Sequence, residues 1–577
     1  MSTVSADVER RRRIVTRAIP LALVALVAFV WGATSGSSES PEKEIAERFA
    51  DAWERRDFKA MYSQLDPASR RLVSEAALAA AYRGAAETAT LRALALGGPG
   101  DPSEDGDGTV VAIGAEVGTV AFGSFEAEVE LPVSEEGVAW NESLVFPGLR
   151  PGERLESEVE LAPRAPILAR DGQPLAEGPA EAREHPLGTD AIDVTGEVGT
   201  PEDEDLPVLA RQGFPAGTPV GVSGLERAFN QRLAGKPGGT LSAVDAASGA
   251  SRTLAEGEPR PGAPVKTTVD PEIQEAAVAA LAGRLGGIAV LDTESGDVRA
   301  VAGQAFSAPR PPGSTFKLVT TTAALQEGAV SLDDEFEITD GVNVGGRFIY
   351  NANGEFCGGS FPEAFAHSCN AVFAPLGPEV GNDKLVETAE QFGFNSPPTL
   401  YAAEVVGEME LPEPSIPTEI GTELDLGVSA IGQGEVLATP LEMATVAQTI
   451  ANGGVRQPTS IVANRKLRAD AEPVRVMTDK LSDQITELMV GVVTAGTGTA
   501  GAIAEAQVAG KTGTAELGPK PGQEDSDNPV QIKDAWFAAF APAEKPRLAV
   551  GVLLIEAEAS GGEVAAPAAA EVLSAGL

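Results

Sequence analysis

The stretch Ala308–Gly328, "APRPPGSTFKLVTTTAALQEG", sets two adjacent prolines and a glycine directly before a serine, with a lysine three residues further on. Pro311 and Pro312 fix the backbone and keep it out of helix up to that point, and Gly313 permits a sharp turn. The run from Ser314 to Gln326 has good helical content, and Gly328 ends it. The reading is a helix opened by Ser314. Residues at i and i+3 share a helix face, so Lys317 is expected one turn from Ser314, within hydrogen-bond reach. A serine hydroxyl is a poor nucleophile until a base takes its proton. Lysine is that base only when burial or a neighbouring cation lowers its pKa from about 10.4. Phe316, Leu318 and Val319 offer apolar surroundings. The same spacing also fits an N-cap serine followed by a surface lysine, so other segments of the chain must decide between the two.

Composition bounds what those segments are. A chain of 577 residues is too long for one ordinary core, and two to four domains are expected. A hydrophobic share of 43% with only 5% aromatics fits globular domains rich in Ala, Val and Leu. The formal net charge of -42 argues against nucleic acid as a partner, because its phosphates would be repelled. A strongly solvated acidic surface is the plain reading of that charge.

Arg10–Arg13 and Arg17 precede an apolar stretch from Ala18 to Ala33, a little short of the roughly 20 residues a spanning helix prefers unless Ile14 and Val15 join it and Arg17 snorkels. By the positive-inside rule the N-terminus stays cytoplasmic and everything after Ser35 lies outside. The stretch reads as an uncleaved membrane anchor over residues 1–36. A cleaved signal peptide is the alternative, although no small-x-small site stands out near Ala33.

Residues 37–152 then read as a small α+β domain. "EKEIAERFADAWERRDFKAMYSQLD" spaces Ile45, Phe49, Ala52 and Trp53 as a helix does, and a second helical run follows. "SFEAEVELPV" alternates as a strand, and "VAWNESLVFPGLRPGERL" has strand-like apolar runs. Residues 153–263, with "RAPILARDGQPLA", are Pro- and Gly-rich and suggest an extended linking domain. A last region, 264–577, opens with a helix capped by Asp270 and started by Pro271. "GGIAVLDTESGDVRAVAG" follows as a hairpin, and after the Ser314 helix come "DAWFAAFAP" and "RLAVGVLLIEA" as strands and Ala565–Ala575 as a closing helix. One sheet is expected, its first and last strands meeting beside a cleft.

Two further clusters belong to that region. "FAHSCNAVF" offers Ser368 and Asn370, a hydroxyl for proton relay and an amide to hold a peptide bond, on a tight turn between helices. "VAGKTGTAE" offers Lys511, Thr512, Gly513 and Thr514 on a strand. Thr512 and Thr514 share a face there, and a backbone N–H can meet a developing oxyanion.

Ser314-Thr315-Phe316-Lys317, Ser368-Cys369-Asn370 and Lys511-Thr512-Gly513, in this order, resemble the S-x-x-K, S-x-N and K-T-G set of penicillin-binding proteins and serine β-lactamases. "TTVDPEIQEAA", "AIGQGEVLATPLEMATVAQTIANGG", "GVVTAGTGTA" and "GGEVAAPAAAEVL" are also similar to penicillin-binding transpeptidase sequence, from about Pro264 to Leu577. "RAPILARDGQPLA" resembles the start of the pedestal, or dimerisation, domain of class B members, and "WNESLVFPGL" the membrane-proximal extension of the methicillin-resistance type. No glycosyltransferase module is visible, which fits the monofunctional class B. The implied fold is multi-domain α+β. It comprises a transpeptidase domain with an antiparallel sheet flanked by helices, an extended pedestal, a small membrane-proximal domain and one transmembrane helix.

The resemblance implies a D,D-transpeptidase that needs no cofactor and no metal. Ser314 would be acylated by the penultimate D-Ala of a peptidoglycan stem peptide, with Lys317 as base. Ser368 would pass the proton to the leaving amine, with Lys511 adding positive potential, and Asn370 would hold the substrate amide. Backbone N–H groups of Ser314 and Thr514 would form the oxyanion hole, and the Thr512 and Thr514 hydroxyls would grip the carboxylate beside Gly513. β-Lactam antibiotics would acylate the same serine, and a cell-wall glycosyltransferase is an expected partner. The alternatives are a D,D-carboxypeptidase and a catalytically weak β-lactam-binding scaffold or sensor. One departure is Cys369 in the middle of S-x-N. No deacylating Glu motif of class A β-lactamases follows it, which weighs against a hydrolase.

Other chemistries fit poorly. Glu505 stands where a phosphate loop ending at Gly510-Lys511-Thr512 needs its first glycine. Cys357, His367 and Cys369 lack a fourth ligand and metal-site spacing. His185 and His367, the only histidines, give poor support for a Ser-His-Asp triad. In an oxidising compartment Cys357 and Cys369 are candidates for a disulfide; two buried thiols are the alternative.

Overall fold

A computed structural model describes residues 40–105, 108–188, 192–307, 309–402, 411–519 and 531–577. The expected anchor lies outside them, and no helix among the described residues is long and apolar enough to cross a membrane. The chain packs as two compact units, Met1–Glu158 with Gly239–Gly257, and Val159–Gly238 with Glu258–Leu577.

In the smaller unit, α1 (Pro41–Glu54) starts at Ser40, whose hydroxyl accepts from Lys43 N, and buries Ile45, Phe49, Ala52 and Trp53. Trp53 meets Tyr82 of α2 (Glu75–Thr88) edge-on, with ring centroids 5.1 Å apart. The helices cover an antiparallel sheet of β1 (Leu91–Leu96), β2 (Ser103–Asp105), β3 (Gly108–Thr119), β4 (Ser124–Ser134) and β5 (Gly137–Val138), ordered β1-β3-β4-β5 with β2 on β3. In β4, Val129, Leu131 and Val133 point into the core while Glu126, Glu128 and Glu130 stay exposed. The strand expected just after β5 is instead a 3₁₀ turn, Glu142–Val145. Asn141 caps it by accepting from Ser143 N, and Leu144 buries beneath it.

A second sheet orders β6 (Glu153–Glu160), β7 (Gly238–Asp245) and β8 (Ser251–Gly257) as β8-β7-β6. Residues 153–263, read as one linking domain, therefore divide: Gly239–Gly257 joins the smaller unit because its strands complete the sheet that β6 begins. Such pairing between distant segments leaves no local trace in the sequence.

Within the larger unit, the segment before the main sheet is organised by buried charge. Glu226 is fully buried; Arg164 Nε donates to its Oε2 and Arg183 Nε to its Oε1, each at 2.7 Å. Arg183 also donates to the carbonyls of Ala165 and Gly178. Ile167, Leu225, Phe229 and Leu233 share one core with Leu291, Val301, Leu400 and Ile461, so this segment is packed rather than extended.

The remainder runs α3 (Pro271–Leu281), β9 (Gly286–Asp292), β10 (Val298–Gly303), α4 (Lys317–Glu327), α5 (Phe361–Ala366), α6 (Asn370–Val380), α7 (Pro440–Ala451), α8 (Asp479–Ala495), β11 (Ala509–Pro519), β12 (Gln531–Ala541), β13 (Leu548–Ala557) and α9 (Ala566–Gly576). The antiparallel sheet has the order β10-β9-β13-β12-β11, with Gly287 opposite Leu553, so first and last strands meet as expected. Helices α3 and α9 cover one face and α7 the other. Gly551 makes the second contact feasible: a Cβ there would lie 2.1 Å from Pro440 O.

Glu442, on the first turn of α7, is 8% exposed, and its Oε1 has no hydrogen-bond partner. Burial pushes its carboxyl up to about 8 from the usual 4.5, with Arg456 opposing. The folded state thus holds a proton that the unfolded chain releases, so stability is lost as pH rises from about 4.5 to about 8. Thermal melts should show Glu442→Gln more stable than wild type at pH 8 and close to it at pH 5. In denaturant titrations, Glu226→Ala should destabilise the larger unit by about 3 kcal/mol or more, because two guanidinium groups lose their counter-charge.

Candidate active site

The segment around Ser314 begins as a tight turn rather than an α-helix. Gly313–Phe316 forms a 3₁₀ turn that runs into α4 at Lys317, and Thr315 Oγ1 donates to Pro312 O at 2.7 Å to close it. Gly313 has φ +53°, and a Cβ there would lie 2.9 Å from the Thr514 carbonyl group. A Cβ on Gly513 would lie 2.6 Å from Pro312 O. The two glycines let the Ser314 turn and β11 pack backbone to backbone. On its other flank the turn is held by Gly313 N donating to Gly432 O and by paired backbone bonds between Arg310 and Ala438. Ser314 is left half-buried.

Lys317 is fully buried. Its Nζ donates to Ser368 O at 2.7 Å, to Ser368 Oγ at 3.2 Å and to Asn370 Oδ1 at 2.7 Å. The contact expected with Ser314 Oγ is not among its hydrogen bonds in the described residues. The lysine sits on the same turn as Ser314 but reaches across to the turn between α5 and α6. Burial, and then the charge of Lys511, hold its ammonium well below the usual lysine range.

On that inter-helix turn Ser368 adopts φ +59°, in the left-handed region that L-residues avoid. Cys369, fully buried, is joined by a disulfide to Cys357. Asn370 uses both ends of its amide: Oδ1 accepts from Lys317 and Nδ2 donates to Tyr350 O at 2.9 Å. One N–H of Nδ2 is left over from these bonds. Next to it, Ala371 N donates to Asn351 Oδ1 at 2.8 Å.

β11 lies at the sheet edge, so backbone N–H groups along its outer side have no strand partner among the described residues. Lys511 points inward, is fully buried, and donates to Ser368 Oγ at 2.8 Å. Burial lowers it to about 7. Thr512 and Thr514 occupy the other face: Thr512 Oγ1 lies 2.6 Å from Thr497 Oγ1, and Thr514 Oγ1 accepts from Gly561 N at 3.3 Å. Sequence reading had no place for Thr497, which follows α8, nor for Gly561. Thr497 stands in "TAGTG", a stretch that resembles transpeptidase sequence but carries no chemistry until the fold brings it beside Thr512.

All three segments therefore converge. Gly313, next to Ser314, backs onto Thr514, Lys317 reaches Ser368 and Asn370, and Lys511 reaches Ser368. Chemically the arrangement presents a hydroxyl on a rigid turn, two amines whose charge is disfavoured, a hydroxyl between those amines, and edge-strand N–H donors. These are the parts required for acyl transfer through a serine.

Comparison with known proteins gives the family of the chain. A family model for the penicillin-binding protein transpeptidase domain matches residues 286–574, and one for the penicillin-binding protein dimerisation domain matches residues 178–267. The chain is 36% identical over 294 residues to the peptidoglycan D,D-transpeptidase PbpA of Mycolicibacterium smegmatis, which is 48% of this chain and 56% of that protein. The match to the Mycobacterium tuberculosis PbpA is also 36% identical, over 292 residues, so the chain spans little more than half the length of these curated relatives. Among solved structures, the D,D-transpeptidase domain of a peptidoglycan glycosyltransferase from Eggerthella lenta superposes with TM-score 0.57 at 29% identity, over 72% of this chain and 98% of that one. A ceftriaxone acyl-enzyme complex of penicillin-binding protein A from M. tuberculosis gives 0.54 at 28%, over 72% and 98%. With a transpeptidase match over half its length and a dimerisation match before it, the chain belongs to the penicillin-binding proteins, in class B.

Proposed function

We propose that this protein is a peptidoglycan D,D-transpeptidase working through a Ser314 acyl-enzyme. The observation that carries the reading is the convergence of two buried lysines on the Ser368 hydroxyl beside the Ser314 turn. Lys317, whose charge burial disfavours, gives up its own proton and then takes that of Ser314 as the hydroxyl attacks the penultimate D-Ala carbonyl. Backbone N–H groups of Ser314 and Thr514 receive the oxyanion. Ser368, between the lysines, returns a proton to the leaving D-Ala amine, and Lys511 stabilises the developing negative charge. The spare N–H of Asn370 holds the substrate amide. Thr512 and Thr514, beside Gly513, take the carboxylate, with Thr497 orienting Thr512. A neighbouring stem-peptide amine then attacks the ester and completes the cross-link. β-Lactams are taken up by the same route, and the ceftriaxone acyl-enzyme complex of the M. tuberculosis neighbour supports this.

The rest of the chain fits a wall-facing enzyme. Residues 1–36 serve as a single-pass anchor with the N-terminus cytoplasmic, and a cell-wall glycosyltransferase is the natural partner. The helices and sheet of residues 37–152 act as a membrane-proximal extension of the methicillin-resistance type, and the part of residues 153–263 that packs in the larger unit serves as the pedestal of the transpeptidase domain, 264–577.

Labelling with a fluorescent penicillin should mark the wild-type chain and leave Ser314→Ala unmarked; equal labelling of both would refute the assignment. The two lysines also set a pH dependence. Acylation should rise with pH as Lys317 loses its proton and fall as Lys511 discharges around pH 7. Stopped-flow acylation across pH 5.5–9 should show that fall through about pH 7 in the wild type. Lys511→Ala should be slower by roughly 10²-fold and lack the falling limb.

A further inference from the structure

The hydrogen bonds of Lys317 all end on residues 368–370. That turn is costly to hold, because Ser368 sits at φ +59° without being glycine, and a conformation of this kind persists only where its surroundings over-determine it. Its middle residue, Cys369, is covalently bound to Cys357, on the short strand Cys357–Ser360 that leads into α5. Two hydrogen bonds add to this tie, from Asn370 Nδ2 to Tyr350 O and from Ala371 N to Asn351 Oδ1. Asn351 is itself held, its Nδ2 donating to Thr339 O and Glu355 O. The disulfide is thus the one covalent member of a set of bonds fixing Ser368 and Asn370 under the lysines. Cys369 is fully buried, whereas Cys357 is half-buried, so a small thiol can approach the bond from the Cys357 side.

We propose that Cys357 and Cys369 are positioning residues for acyl transfer: their disulfide holds the Ser368–Asn370 turn in its working geometry, and cross-linking activity depends on the oxidised state. The inference rests on the reading of Ser314 as nucleophile. Reduction by a dithiol such as dithiothreitol breaks the sulfur–sulfur bond. Two electrons and two protons pass to the cysteines, giving two thiols, and the reductant leaves as its own cyclic disulfide. Without the tether, Ser368 is free to relax out of the left-handed region, and the acceptors of Lys317 move with it. Small displacements of this kind are expressed in the chemical step rather than in binding.

The test uses the full chain in three forms: oxidised wild type, wild type in dithiothreitol, and Cys357→Ser. Stopped-flow acylation by a β-lactam separates the binding constant K from the acylation rate constant k2, and amide hydrogen exchange is followed over residues 366–373. The reduced form and Cys357→Ser should lose about tenfold or more in k2 with K within about twofold, together with faster exchange of that segment. Reoxidation should restore the wild type, and Cys357→Ser should not respond to reductant. Thermal melts establish that each form is folded. A reduced protein that acylates at the oxidised rate would overturn the proposal, as would a loss carried by K alone. Faster exchange in the reduced form with no acylation in either redox state would keep the tether and remove the acyl-transfer assignment instead.

Discussion

Two lysine ammonium groups share one hydroxyl, that of Ser368, inside a protein wall where neither meets water. Burial disfavours the charge of both, and the charge of Lys511 disfavours that of Lys317 further. A pair of this kind survives only if the surrounding fold is stable without it. Here the surroundings are rigid. Lys317 leaves the first turn of a helix buried from Lys317 to Ala324, Lys511 leaves a strand, and Ser368 stands on a turn closed by a disulfide. The chemistry proposed for the site follows from that tension, since an amine with a lowered pKa has its lone pair free to accept a proton near neutral pH and one still charged nearby is an electrostatic aid.

The same constraint explains the glycines and prolines around the nucleophile. Backbone must pass against backbone for Ser314 to reach the edge strand, and at Gly313 and Gly513 no side chain would fit. Pro311 and Pro312 bring the chain in without demanding the hydrogen bonds of a helix. Arg310 extends the clamp, pairing with the buried Asp534 at 3.2 Å. The larger unit repeats this logic on a bigger scale: the Arg164–Glu226–Arg183 cluster orders a segment that has few periodic hydrophobics of its own.

Much of this was legible before any coordinates. Asp270 and Pro271 marked α3, the alternation in Ser124–Ser134 marked β4, and three short motifs marked the site. What escaped reading were relations between distant segments. The pairing of Gly239–Gly257 with β6, the partnership of Thr497 with Thr512, and the bond from Asn370 to Tyr350 join residues whose local sequence carries no sign of one another. Local physics also misjudged two details. The residues after β5 looked like a strand because Leu144 and Val145 are apolar, yet the Asn141 side chain turns the backbone there. Lys317 was expected to face Ser314, but the turn between α5 and α6 offers it three acceptors within 3.2 Å.

The ionisation of the two lysines is the most direct probe of the account. A pH titration of lysine side-chain nitrogen shifts by NMR, with Lys317→Arg and Lys511→Arg used for assignment, reads it without reference to any substrate. Two resonances titrating far below the others, that of Lys511 at about 7, are the predicted result. Titration of every lysine near the ordinary value of about 10.4 would contradict it.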